Sequence, residues 1–220
     1  MVKSFRFLLQ NAKVYLGVLT AFAAILTAGA FLSGVPDGAE NMFATYYGLF
    51  PLMCLMCLFI FSFAMCTSDL QLAVSFGARR RDYYKAIHLY ILLNVVVCSG
   101  IQAVMAWIPR ATHWDNLDTT LSLLSLCSSS FWLFPLLCFS MQVIGCVCGL
   151  VMIHSRLLGA LIMAVLMAAG ITAVVFLMLS ANRGFHLWGD LPAILLALLV
   201  AGAAAGEVVI WRKISRFSVK

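Results

Sequence analysis

The residues with the most evident capacity for chemistry are eight cysteines: Cys54, Cys57, Cys66, Cys98, Cys127, Cys138, Cys146 and Cys148. Two pairs stand close together, in "CLMC" and "CVC", at spacings where thiolates bind zinc or exchange disulfides. All eight lie in or at the ends of apolar runs, where a thiolate is costly. No further cysteine or histidine pair stands at ligand spacing, so they are expected to pack as small hydrophobes, with no metal or cofactor bound by this chain. Hydrolytic chemistry lacks its parts as well. A zinc protease needs two histidines at helical spacing with a glutamate, and a serine protease needs a Ser/His pair at common depth. No glycine loop for phosphate is present, so the chain has no ATPase site of its own and no catalytic residue is expected. Only Glu207, His88 and His154 come near the apolar runs, all at their ends, whereas ion-coupled carriers place charge at mid-span. Asn94, Gln102 and Gln142 are uncharged and are expected to bond across helices.

The elements that carry these residues follow from composition. Of the 220 residues, 64 % are hydrophobic and 10 % charged, against the quarter or so charged in a typical soluble domain. The chain is therefore an integral membrane protein. A bilayer core of about 30 Å requires roughly 20 apolar helical residues. Six windows meet that need, at about 14–32, 44–66, 86–108, 121–152, 157–180 and 191–211. None alternates apolar and polar as barrel strands do. The predicted fold is an all-α polytopic membrane domain over 1–220, with six transmembrane helices joined by turn-rich segments such as "SGVPDGAEN" and "NRGFHLWGD".

Positive charge sorts the connections into two sides. With the N-terminus inside, twelve Lys and Arg residues fall on the cytoplasmic side and only Arg110 and Arg183 on the other. This bias predicts both termini in the cytoplasm. The first apolar run exceeds a signal-peptide core, so no cleaved leader is expected. Before it, Phe5, Leu8, Leu9 and Ala12 alternate at helical spacing with Lys3, Arg6 and Lys13, which predicts an amphipathic helix over 3–13 in the inner headgroup layer.

Small residues and prolines mark the helix contacts. "GCVCG" (Gly145 to Gly149) and "GAAAG" (Gly202 to Gly206) each place two glycines four apart, a spacing that lets backbones approach. Pro51 and Pro135 lie inside the second and fourth runs, where each removes a donor and can bend the helix. The fourth run would extend about 48 Å if straight, so it must tilt, break near Pro135 or project. Its outer half carries Thr119, Ser122, Ser125, Ser129 and Ser130 largely along one face. That stripe could line a translocation path or a subunit seam, or its hydroxyls could bond their own backbone.

The densest charge lies between the second and third runs, in "TSDLQLAVSFGARRRDYYKAIH". Thr67 or Ser68 can cap a short helix, Asp69 favours its positive end, and Gly77 can end it. A second helix then starts near Arg79. Arg79, Arg80, Arg81 and Lys85 read as anchors on anionic lipid, each worth on the order of 1 kcal/mol. Lipid anchoring alone does not require a capped helical insert. Asp69, Leu70, Leu72, Val74, Phe76 and Gly77 therefore read as a surface for a partner protein.

This layout resembles the membrane subunit of bacterial ABC exporters of the type-2 permease class. The resemblance rests on an N-terminal interfacial helix, six spans with both ends inside, and a short coupling helix between spans two and three, with "SFGARRRDYYKA" as its sequence signature. It implies multi-pass location in a bacterial plasma membrane, two permease chains, identical or related, and a separate cytoplasmic ABC ATPase that holds the ATP and magnesium. It implies no nucleic-acid partner. With an apolar interior, the cargo would be an amphipathic or hydrophobic molecule, such as an antimicrobial peptide or a lipid-like compound. This chain departs from larger relatives in lacking a substantial extracellular domain. A different reading is the substrate-binding membrane subunit of an energy-coupling vitamin importer, with His113, Trp114, Asp115, His186 and Trp188 as contacts at the outer face.

Overall fold

The structure, a computed structural model, describes residues 2–36, 42–114, 132–165 and 191–216. Every element among them is helical. Helices α1 (Val2–Leu32), α2 (Met42–Gly48) and α3 (Phe50–Ala64) come first. A single π-helical turn, Met65–Asp69, leads into α4 (Leu70–Ser75). There follow α5 (Arg80–Ala111), α6 (Leu133–His154), α7 (Arg156–Val165) and α8 (Leu191–Arg216). Among the described residues, four helical stretches are long and apolar enough to cross a membrane: Phe5–Leu32, Phe50–Ser75, Arg80–Ala111 and Leu133–His154. The chain thus has the helical membrane-spanning character its composition predicts. Much of the expected fifth span and the outer half of the fourth, with Ser122, Ser125, Ser129 and Ser130, lie outside the described residues.

The expected interfacial helix over 3–13 is not a separate element. No glycine or proline interrupts residues 2–16, and the backbone ladder runs straight through to Leu32. Leu8, Ala12, Tyr15, Leu19, Ala23, Leu26 and Ala30 are all buried, so one face packs inward at helical spacing along the whole length. At 1.5 Å per residue α1 is about 46 Å long, more than a bilayer core requires.

The two prolines that can bend helices each lie in the first turn of one. Pro51 is the second residue of α3, and Pro135 the third of α6. In a first turn the missing N–H has no intrahelical partner to lose, and the fixed φ suits the helix. Before Pro51 the helical pattern is interrupted at Leu49 alone: α2 stops at Gly48, and Leu52 and Met53 both donate to the Leu49 carbonyl at 3.0 and 3.2 Å. Because α6 starts at Leu133, it is about 33 Å long, one bilayer core rather than the 48 Å of the whole apolar run.

The chain divides into two compact units. The first comprises Met1–Leu58 and Ala86–Phe139. Its core joins Leu19, Leu26, Tyr47, Phe50, Leu58, Met105 and Phe134 with Cys54, Cys98 and Cys138, which pack here as small apolar groups. Pro109, two residues before the end of α5, removes the N–H that would bond the Met105 carbonyl. The Tyr47 hydroxyl donates to that carbonyl at 2.7 Å. The Tyr47 ring lies against Trp114, with centroids 5.1 Å apart, and Phe31 meets the same indole edge-on at 5.7 Å. The second unit, Phe59–Lys85 and Ser140–Lys220, holds the candidate docking segment.

Candidate functional site

Within the second unit, the segment between the second and third apolar runs is built on a close contact between α6 and the end of α3. A Cβ on Gly145 would lie 2.6 Å from the Phe59 carbonyl oxygen, and one on Gly149 2.8 Å from that of Phe63. Only glycine lets the two backbones come this near. The Cys146 thiol, fully buried, donates to the Ser62 carbonyl at 3.7 Å along the same seam.

Thr67 and Ser68 do not cap a new helix as their positions suggest. The Thr67 hydroxyl donates to the carbonyls of Phe63 and Ala64 at 3.0 and 3.1 Å, and Ser68 to that of Ala64 at 3.1 Å. Asp69 has helical φ and ψ and makes no side-chain cap bond. The chain therefore stays helical from α3 into α4, and widens by one π turn instead of stopping. A wide turn breaks the regular i→i−4 pairing. The carbonyl at its head, Met65, accepts the Tyr83 hydroxyl from the start of α5 at 2.8 Å, and Tyr83 is fully buried. Tyr83→Phe removes this donor and is expected to destabilise the protein by about 1 kcal/mol, seen as a lower thermal midpoint in detergent. An unchanged midpoint would mean that the Met65 carbonyl does not depend on the hydroxyl.

The end of α4 follows its sequence signal. Gly77 takes a φ of +78°. Its N–H bonds the Val74 carbonyl and the Ala78 N–H bonds that of Ala73, both at 3.0 Å. This is the Schellman pattern, and it fixes the direction in which the chain leaves the helix. Arg80 opens α5 two residues later, with Asp82 in the first turn, where a negative charge meets the positive helix end.

Around this short helix the predicted docking residues part company. Leu70 is fully buried and Ala73 nearly so, so Leu70 belongs to the unit's own packing. Leu72 is 44 % and Phe76 78 % exposed. Val74 is half-buried, and Asp69 likewise. Arg79, Arg81 and Lys85 are exposed and Arg80 is half-buried. The segment presents two apolar side chains beside a basic cluster, on a helix held from behind by Leu70.

Sequence reasoning had no signal for a second feature of this unit. The Tyr84 hydroxyl donates to Glu207 on α8 at 3.4 Å, and its ring meets Trp211 edge-on at 4.9 Å. The acid nearest to the apolar runs is thereby met by a tyrosine from another helix. Among the outer-face contacts of the importer reading, Trp114 is buried between Tyr47 and Phe31, and His113 is exposed with φ of 49°. Asp115, His186 and Trp188 lie outside the described residues.

The seven described cysteines are unbridged, and five of them are fully buried. Among the described residues, no group of three or more His, Cys, Asp or Glu could hold a metal ion. Comparison with protein-family models finds no match, and comparisons with curated proteins and with solved structures find none either.

Proposed function

We propose that this chain is the membrane subunit of an ATP-driven transporter of the type-2 ABC exporter kind. In this reading it acts with a second permease chain, and a separate cytoplasmic ATPase binds ATP and magnesium. The cargo is an amphipathic or hydrophobic molecule, such as a peptide or a lipid-like compound. The observation that supports this reading is the exposed pair Leu72 and Phe76. A large aromatic left 78 % exposed on a helix clamped by a Schellman turn is poised for a protein surface to cover. Arg79, Arg81 and Lys85 beside it hold the segment at the lipid headgroups, where a soluble partner can reach it.

The test is co-purification from the native host of the full chain with its ATPase. Leu72→Asp and Phe76→Asp are each expected to weaken that complex by about 30-fold, the effect of losing a docking anchor worth about 2 kcal/mol. Because both side chains are exposed, the thermal midpoint of the isolated chain should stay where it is. A complex that survives both changes would remove the docking assignment. Absence of any ATPase from the unmodified preparation would remove the transporter reading itself.

A further inference from the structure

Gln102 was expected to bond across helices, and the structure does not show that. Its side chain is 3 % exposed on α5, within the first unit, and neither its amide nitrogen nor its amide oxygen has a hydrogen-bond partner among the described residues. One turn earlier the Ser99 hydroxyl is also buried and unpaired. Residues three apart share a helix face, so a hydroxyl and a whole carboxamide stand together without partners among the described residues.

Many other hydroxyls of the chain are satisfied. Thr20, Thr27, Thr67, Ser68, Ser75 and Thr112 each return the hydroxyl to a carbonyl about one turn back. The hydroxyls of Tyr47 and Tyr83 reach carbonyls on other helices. Ser62 Oγ and Trp114 Nε1 are single unpaired atoms, whereas Ser99 and Gln102 leave three within one turn. Buried polar groups are ordinarily paired, and one kept unpaired at a cost in stability is a candidate for work other than packing.

We propose that Ser99 and Gln102 form a contact site for a neutral amide group carried by an apolar ligand. A carboxamide offers a donor and an acceptor side by side, the complement of a peptide group's C=O and N–H. The surroundings call for an uncharged ligand: Cys98, Met105 and Ala106, one turn to either side on α5, are buried apolar residues, and the next charged residue along the helix is Arg110. An acid or an amine would enter without a counter-ion. This deepens the transport reading, on which it rests for the assignment of the ligand as cargo, by making that cargo a hydrophobic molecule with a secondary amide.

The experiment uses the purified full chain in detergent and two matched probes, N-acetyl-leucyl-leucyl-leucinamide and the same molecule with one internal amide replaced by an ester. The amide is expected to bind at least about tenfold more tightly, because the ester leaves the Gln102 oxygen unpaired. Gln102→Met, similar in shape and without the amide, is expected to bring that ratio close to one. It should also leave the thermal midpoint unchanged or raised, since it removes an unpaired buried group. Ser99→Ala should reduce the ratio without lowering the midpoint. Equal binding of the two probes by the unmodified protein, no binding of either, or a lowered midpoint for Gln102→Met would each overturn the assignment. Amide preference without any co-purifying ATPase would leave this site standing and remove the transporter reading. A bound ATPase with no amide preference would do the reverse.

Discussion

Gly145→Leu is expected to cost the protein about 3 kcal/mol or more and to abolish its monodisperse peak on size exclusion in detergent. Adding volume to a packed contact typically costs about 1–3 kcal/mol, and the cost rises when the obstructing atom cannot move. Here it cannot. A Cβ at this position would stand 2.6 Å from the Phe59 carbonyl oxygen, 3.0 Å from Ser62 Cβ and 3.3 Å from the Phe63 nitrogen, so two of the three obstacles are backbone. The helices would have to separate, and Gly149, whose Cβ would stand 2.8 Å from the Phe63 oxygen, would lose its contact with them. Gly145→Ala should show the same effect at smaller size. Gly202→Ala is the control. Nothing among the described residues lies within 4 Å of its added carbon, and the midpoint should not fall beyond the few tenths of a kcal/mol typical of an exposed site. A Gly145→Leu protein as stable as the original would mean that α6 does not pack on α3 through this glycine.

Tyr47→Phe is expected to lower stability by about 1–3 kcal/mol, because it strands the Met105 carbonyl in an apolar core. The ring and its contact with Trp114 remain, so the loss belongs to the hydroxyl. The reason lies four residues further along the helix. Pro109 has no N–H to give, and the hydroxyl 58 residues away in sequence stands in for it at 2.7 Å. Pro109→Ala supplies the missing donor, so Tyr47→Phe should cost far less in that background. The two changes should couple by about 1–2 kcal/mol in a double-mutant cycle of thermal or chaotrope unfolding. Equal costs in both backgrounds would sever the link between proline and tyrosine.

At these two sites residue type alone does not determine the contact. "GCVCG" and "GAAAG" are the same motif on paper, yet Gly145 and Gly149 touch another backbone, Gly206 meets only the side chains of Val143 and Val147, and nothing among the described residues stands within 4 Å of a Cβ on Gly202. The docking segment divides in the same way. Gly77 ends its helix because only a residue free to take positive φ closes a Schellman turn, a property of the residue itself. Leu70 and Leu72, two positions apart, were equal as candidate anchors, and packing put one inside and left the other out. Thr67 and Ser68 are good caps by type, but with no break in the helix their hydroxyls turned back to carbonyls one turn behind.

What the sequence alone determined is what depends on neighbours a few residues away. Apolar runs that must satisfy every peptide group internally become helices of membrane length. Whether residues 3–13 would bend away or continue α1 was decided by the face that the whole helix could bury. The tertiary structure decided the partners: Tyr47 with Met105, Tyr83 with Met65, Tyr84 with Glu207, and none among the described residues for Gln102. The physical reason is that a lipid tail is as apolar as a leucine. Hydropathy therefore says that a helix face is greasy without saying whether lipid, a second helix or a ligand will cover it.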